Sequence, residues 1–148
     1  MTLLRHGIQV TPPRGWDARI YLRDAGPGER THPILHAATV RLPGDRGDYG
    51  SNVVTALGSD DAFVALLEFD AEAARSNLFA ASGLPRVSAR DLRPQTLHRT
   101  LPGQSGLQMF FHVKARAFSL YVVVGAHSRR LFTMPRVQQL LGSIRLEA

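Results

Sequence analysis

The chain has 148 residues, 44% of them hydrophobic and 20% charged, no cysteine, and a formal net charge of +6. That length and apolar content suit one packed domain and exclude a wholly disordered chain, while the missing cysteines exclude disulfides, thiolate catalysis and cysteine-ligated metal clusters. No apolar run approaches the roughly 18 residues of a membrane span, and residues 1–7 lack the apolar stretch of a secretory signal, so a cytoplasmic protein with no membrane span is expected.

In chain order, Ile8 and Val10 flank Gln9 in a short alternating run that Pro12-Pro13-Arg14-Gly15 interrupts. Two prolines end strand pairing and Gly15 tolerates positive φ, so a hairpin is expected here. Its second strand alternates cleanly, with Trp16, Ala18, Ile20 and Leu22 on one side and Asp17, Arg19, Tyr21 and Arg23 on the other. Period two marks a half-buried strand. A third strand is expected over 34–42, ended by Pro43 and the glycine-rich loop 44–50. Ser51 is placed to cap a short helix over 52–57, with Gly58 as its stop. Residues 62–69 are densely apolar, and Phe63, Val64 and Phe69 favour a strand over a helix. Residues 71–79 read as a short helix. The stretch 80–106 shows no firm period, but Leu92 and Leu97 suggest that it packs down. So long a stretch inside a domain is either functional or mis-assigned.

Residues 107–126 carry the strongest pattern, a long hairpin turning at Ala115-Arg116. That turn would set Phe110 opposite Tyr121, Gln108 opposite Val123 and His112 opposite Ser119. The other face is apolar throughout (Met109, Phe111, Val113, Phe118, Leu120, Val122 and Val124) and needs a cover. Residues 133–142 supply one as an amphipathic helix, with Thr133 as cap, Pro135 in the first turn, and Met134, Val137, Leu140, Leu141 and Ile144 on one stripe. The expected fold is a single α+β domain over 1–148: an antiparallel sheet of about six or seven strands with the C-terminal helix packed on one face.

"GIQVTPPRGWDARIYLRD", then "ARAFSLYVVVGA", then a short helix and "SIRLE" resemble the PsbP-type α+β sandwich. That superfamily includes a photosystem II subunit and a Ran-binding nuclear import factor, so the resemblance implies binding and assembly rather than catalysis. It covers structural positions, and no functional residue carries over. The chain also resembles small actinobacterial proteins of uncharacterised function.

Catalytic signals are sparse. His32 and His36 are four apart, a metal-pair spacing on a helix, but Pro33 and the β-like run beyond it oppose a helix, and no third ligand is near. The loop 45–52 lacks the alternating oxygens and closing glutamate of a calcium site. Arg46-Gly47-Asp48 spells an adhesion tripeptide without a secretory context. Gly103-Gln104-Ser105-Gly106 matches a nucleophile elbow only in part, and Ser105, His98 and Asp91 have the residue types of a triad with nothing to fix their geometry. Glu68 and Asp70 on one strand face read more simply as a strand end entering solvent than as an acid–base pair. No enzyme, cofactor or metal is expected.

Charge is distributed unevenly. Residues 1–85 hold eight arginines against ten acids, and residues 86–148 hold ten bases against two acids. Such a chain can close on itself, pair with a second copy, or offer its basic half to an acidic partner. The stretch Arg86, Arg90, Arg93, His98 and Arg99 has no interleaved aromatics, which argues against nucleic acid. The expected function is therefore a non-enzymatic protein-binding or assembly domain, with an acidic protein or a second copy as partner. Its binding residues would be Phe110, Tyr121, His112 and Gln108 on the mixed hairpin face, and Arg86, Arg90, Arg93 and Arg99 in the basic half. The competing reading of the mixed face is that the 80–106 segment buries it. The alternative function is a small-molecule binder with an apolar pocket between sheet and helix.

Overall fold

The computed structural model describes residues 1–28, 30–44, 52–96 and 101–148. The fold is α+β, but its strands divide between two antiparallel sheets, where the sequence pattern suggested one of six or seven strands. The larger sheet has five strands in the order β3-β4-β5-β7-β6: β3 Asp17–Leu22, β4 Pro33–Ala38, β5 Ala62–Phe69, β6 Ser105–Val113 and β7 Arg116–Val124. The smaller has three, β1 Leu3–Arg5, β2 Ile8–Val10 and β8 Arg145–Leu146, in the order β1-β2-β8. One α-helix, α1 Arg130–Gly142, precedes β8. No helix among the described residues is long and apolar enough to cross a membrane.

The expected hairpin between Ile8–Val10 and the Trp16 strand does not form. His6 (φ +53°) and Gly7 (φ +75°) make a two-residue turn that folds β2 back onto β1, with Arg5 opposite Ile8. Both φ values are positive, as the tight turns of two-residue hairpins require. Pro12 and Pro13 then end the run, Trp16 N–H donates to the Pro13 carbonyl (3.1 Å), and the chain enters the other sheet. β4 is shorter than the expected 34–42, since Thr39 and Val40 bend away.

β5 is buried on both faces because each side of the sheet packs into its own core. Ala62, Val64 and Leu66 point into one core, and Phe63, Ala65 and Leu67 into the other. That is why its composition is unbroken rather than alternating. The β6–β7 hairpin turns at Lys114-Ala115, with Lys114 at φ +52°, not at Ala115-Arg116. Phe110 therefore faces Ser119, Gln108 faces Tyr121 and His112 faces Ala117. The slip is two residues, so each side chain keeps its face.

α1 begins at Arg130, ahead of the expected Thr133 cap. Thr133 is inside and buried, its hydroxyl donating back to the Arg129 carbonyl (3.2 Å). Met134, Val137, Leu140 and Leu141 pack with Phe111, Phe118, Leu120 and Val122 as expected, and Ile8, Val10, Val87 and Leu92 join the same core. The expected helix over 71–79 is two 3-10 turns, Ala71–Arg75 and Asn77–Phe79. The expected helix before Gly58 is a 3-10 turn, Val53–Ala56, which Leu57 leaves in an extended conformation; the Ser51 cap and the loop 45–51 lie outside the described residues.

The 80–96 segment packs down along the exposed edge of β6. Gly83 N–H donates to the His112 carbonyl and His112 N–H to that of Ala81 (both 2.8 Å), while Arg93 and Gly106 exchange bonds of 2.7 and 3.0 Å. An otherwise open strand edge is thus capped. Just past the end of β7, Gly125 crosses against Gly58, and a Cβ on Gly125 would overlap the Gly58 carbonyl oxygen. Gly125→Ala should therefore cost about 2–4 kcal/mol of unfolding free energy, as backbone clashes and broken packing do. A urea melt indistinguishable from the parent would show that the crossing is not close.

Candidate interaction surface

The mixed hairpin face is largely covered. Tyr121 is 2% exposed and Ser119 and Val123 are buried. Tyr121 and Val123 share the second core with Val53, Val54 and Phe63, and Leu57 and Leu101 pack against it. Among the described residues, the cover thus comes from the 53–57 turn and from Leu101 in the 80–106 segment. Phe110 is half-buried, edge-on to Phe79 at 5.4 Å between ring centres. His112 Nδ1 donates to the Phe79 carbonyl (2.6 Å), and Gln108 Nε2 donates to Ser119 Oγ (3.0 Å). These four side chains are engaged within the fold.

Part of the charge split closes within the chain. Arg116 pairs with Glu68 (2.6 Å) and Arg129 with Asp60 (2.8 Å), each base from the C-terminal half and each acid from the acidic region. The hydrogen bond from Arg129 holds Asp60 below the usual carboxylate range, with further help from the Arg129 and Arg136 charges. His32 Nε2 meets Asp70 Oδ1 at 2.7 Å, and that bond likewise lowers Asp70. His36 is elsewhere, fully buried and edge-on to Tyr21 and Phe63, so the two histidines form no metal pair. Among the described residues no three histidine or acid side chains converge on a metal-sized site.

Ser105 is fully buried, and its hydroxyl bonds His127 Nδ1 (2.8 Å). Asp91, which only by residue type could complete a triad, accepts from Ser88 N–H (2.8 Å) in a capping box, and His98 lies outside the described residues. A buried serine and a histidine with no carboxylate on its ring, among the described residues, do not make an activated nucleophile.

The basic stretch behaves differently. Arg86, Arg90 and Arg93 are exposed along the 80–96 segment; Arg99 lies outside the described residues. Arg90 and Arg93 line a groove of about 470 Å³ with Arg130 and His127, which α1 and the turn before it bring from the far end of the sequence. No carboxylate lines that groove among the described residues. Arg130 also opens the first turn of α1, with Arg129 just ahead of it and no acid in that turn. A helix N-terminus favours anions, so these cations oppose their own helix dipole.

Beside them, Leu131 and Phe132 are 72% and 68% exposed, with the Arg129 guanidinium 4.2 Å from the Phe132 ring centre. Sequence reasoning missed both. For Leu131 the signal was available: Leu131, Pro135, Gln138 and Gly142 are spaced by four, three and four, and this row lies off the buried stripe. A second groove, also about 470 Å³, lies toward the other end of α1, where Leu84, Pro85, Val87, Leu141 and Ile144 form an apolar floor and Arg86 and Arg145 flank it. No protein-family model matches this chain, and no curated protein or solved structure matches it.

Proposed function

We propose that this is a non-catalytic protein-binding domain that engages an acidic partner at the start of α1. One observation carries the reading: Arg90, Arg93, Arg130 and His127 surround an open groove that no carboxylate lines among the described residues, and Leu131 and Phe132, which follow Arg130 in the first turn of α1, are exposed. Such a surface attracts negative charge and supplies the aromatic and arginine anchors on which binding energy concentrates. Arg90 and Arg130 form no ion pair among the described residues, so a partner's carboxylates would not have to displace one. The sequence resemblance to PsbP-type sandwiches, whose members bind and assemble, points the same way. A small-molecule pocket between sheet and helix has less support, since Phe111, Phe118, Leu120, Val137 and Leu140 fill that space.

The test is binding of fluorescein-labelled poly-glutamate at 0.1 M and 1 M salt, across which the screening length falls from about 10 Å to about 3 Å. Binding should weaken steeply with salt. Arg90→Glu/Arg130→Glu should reduce affinity about tenfold or more while leaving the thermal melt within a few degrees, because rim charges act mainly on association. A charge-reversed protein that binds as well as the parent would refute the assignment of this groove.

A further inference from the structure

The two grooves flanking α1 lie along one seam. The chain segment 84–87 lines the apolar groove and 89–95 the basic one, so only Ser88 separates them. The segment runs beside the helix, anchored where Gln138 Nε2 donates to the Val87 carbonyl (2.8 Å). Exposed Leu131 shares a helix face with Gln138 and Gly142, both of which line the apolar groove. The 13 residues of α1 make the seam about 20 Å long at roughly 1.5 Å per residue. An extended peptide spans that with about six residues at roughly 3.3 Å each.

Building on the acidic-partner reading above, we infer that the ligand is a short extended segment of a protein, acidic at one end and apolar at the other. Its carboxylates lie against Arg90, Arg93 and Arg130, and its apolar side chains enter the groove over Leu84, Val87 and Leu141. Charge complementarity selects this occupant over a purely apolar one. Arg90 and Arg130 line the basic groove at the other end of the seam, so a neutral ligand spanning both grooves would fill the apolar one while leaving these cations without a countercharge. A concave seam also suits a polypeptide better than a flat lipid surface.

Three labelled peptides of about eight residues decide it by fluorescence anisotropy, each made in both chain directions. One joins a leucine pair to a run of glutamates, one replaces the leucines by serine, and one replaces the glutamates by glutamine. The Leu–Glu peptide should bind about tenfold tighter than the Ser–Glu peptide, since burying a leucine pair is worth at least that much. A groove-filling variant separates the two ends. A Cβ on Gly142 meets nothing within 4 Å, and its φ is not in the left-handed region, so Gly142→Phe enters the groove without straining the backbone. It should bring the Leu–Glu peptide down to the Ser–Glu affinity and leave the Ser–Glu affinity alone. Equal binding of the Leu–Glu and Ser–Glu peptides, both lost on glutamine substitution, would overturn the apolar end while the acidic-partner reading stands. Failure of every glutamate peptide at 0.1 M salt would overturn both. So would binding to phosphatidylserine vesicles with no binding to peptides.

Discussion

Leu140→Ala is expected to cost about 2–5 kcal/mol of unfolding free energy, the range for removing a large aliphatic side chain from a packed core. Leu140 is 0% exposed and sits in the cluster that joins α1 to Phe111, Phe118, Leu120 and Val122. The helix has few resources besides this packing. Arg129 and Arg130 at its start stand against the dipole, no side chain caps its N-terminus, and Pro135 lacks the N–H that would reach back along the helix. Helices of this length are marginal in water, so tertiary burial must hold it. Leu131→Ala, on the exposed face, is the matched control and should change stability by no more than about 0.5 kcal/mol. Urea unfolding of the two variants measures both. A Leu140→Ala loss as small as the control's would mean that the stripe is not core.

What the sequence revealed depended on how much of each interaction was local. β6 and β7 are nine residues each, long enough for period two to identify both faces, and the buried stripe of α1 repeats often enough to stand out. The two-residue slip at Lys114-Ala115 escaped notice because a shift by an even number leaves that alternation intact. The smaller sheet was illegible for the opposite reason. Its strands have three, three and two residues, too short for any period, and β2 pairs with β8 across nearly the whole chain. The face of Tyr121 looked open because its cover comes from residues 53–57 and Leu101, turns and loops without a pattern. The basic groove was half visible. Arg90 and Arg93 form an obvious run, but Arg130 and His127 reach them only through the packing of α1 against the 89–91 turn. Charge counting located the basic half; only the fold shows which of its arginines converge.

Arg116→Ala should be nearly as damaging as the core truncation, at about 2–4 kcal/mol, somewhat below the range for breaking a fully buried pair. Arg116 and Glu68 side chains are 15% and 12% exposed, so neither charge is well hydrated. The guanidinium makes a two-pronged contact, Nε to Glu68 Oε2 (3.0 Å) and Nη2 to Oε1 (2.6 Å). It also donates to the carbonyls of His6 (3.1 Å), Gly7 (3.1 Å) and Glu147 (2.9 Å), and lies 4.9 Å from the Phe118 ring centre. One side chain thus ties the β6–β7 turn and the end of β5 to the β1–β2 turn and the residue after β8. It joins the smaller sheet to the larger. Removing it strands a half-buried carboxylate and three carbonyls together, and lysine, a single point donor, cannot restore the fork. Gly7 belongs to the same arrangement: a Cβ there would stand 2.7 Å from Arg116 Nη1. A double-mutant cycle with Glu68→Gln isolates the pair, and a coupling of about 1 kcal/mol or more is expected for groups in direct contact. If Arg116→Ala melts with the parent, the two sheets are held together by the packing of Ile8 and Val10 in the shared core and not by this guanidinium.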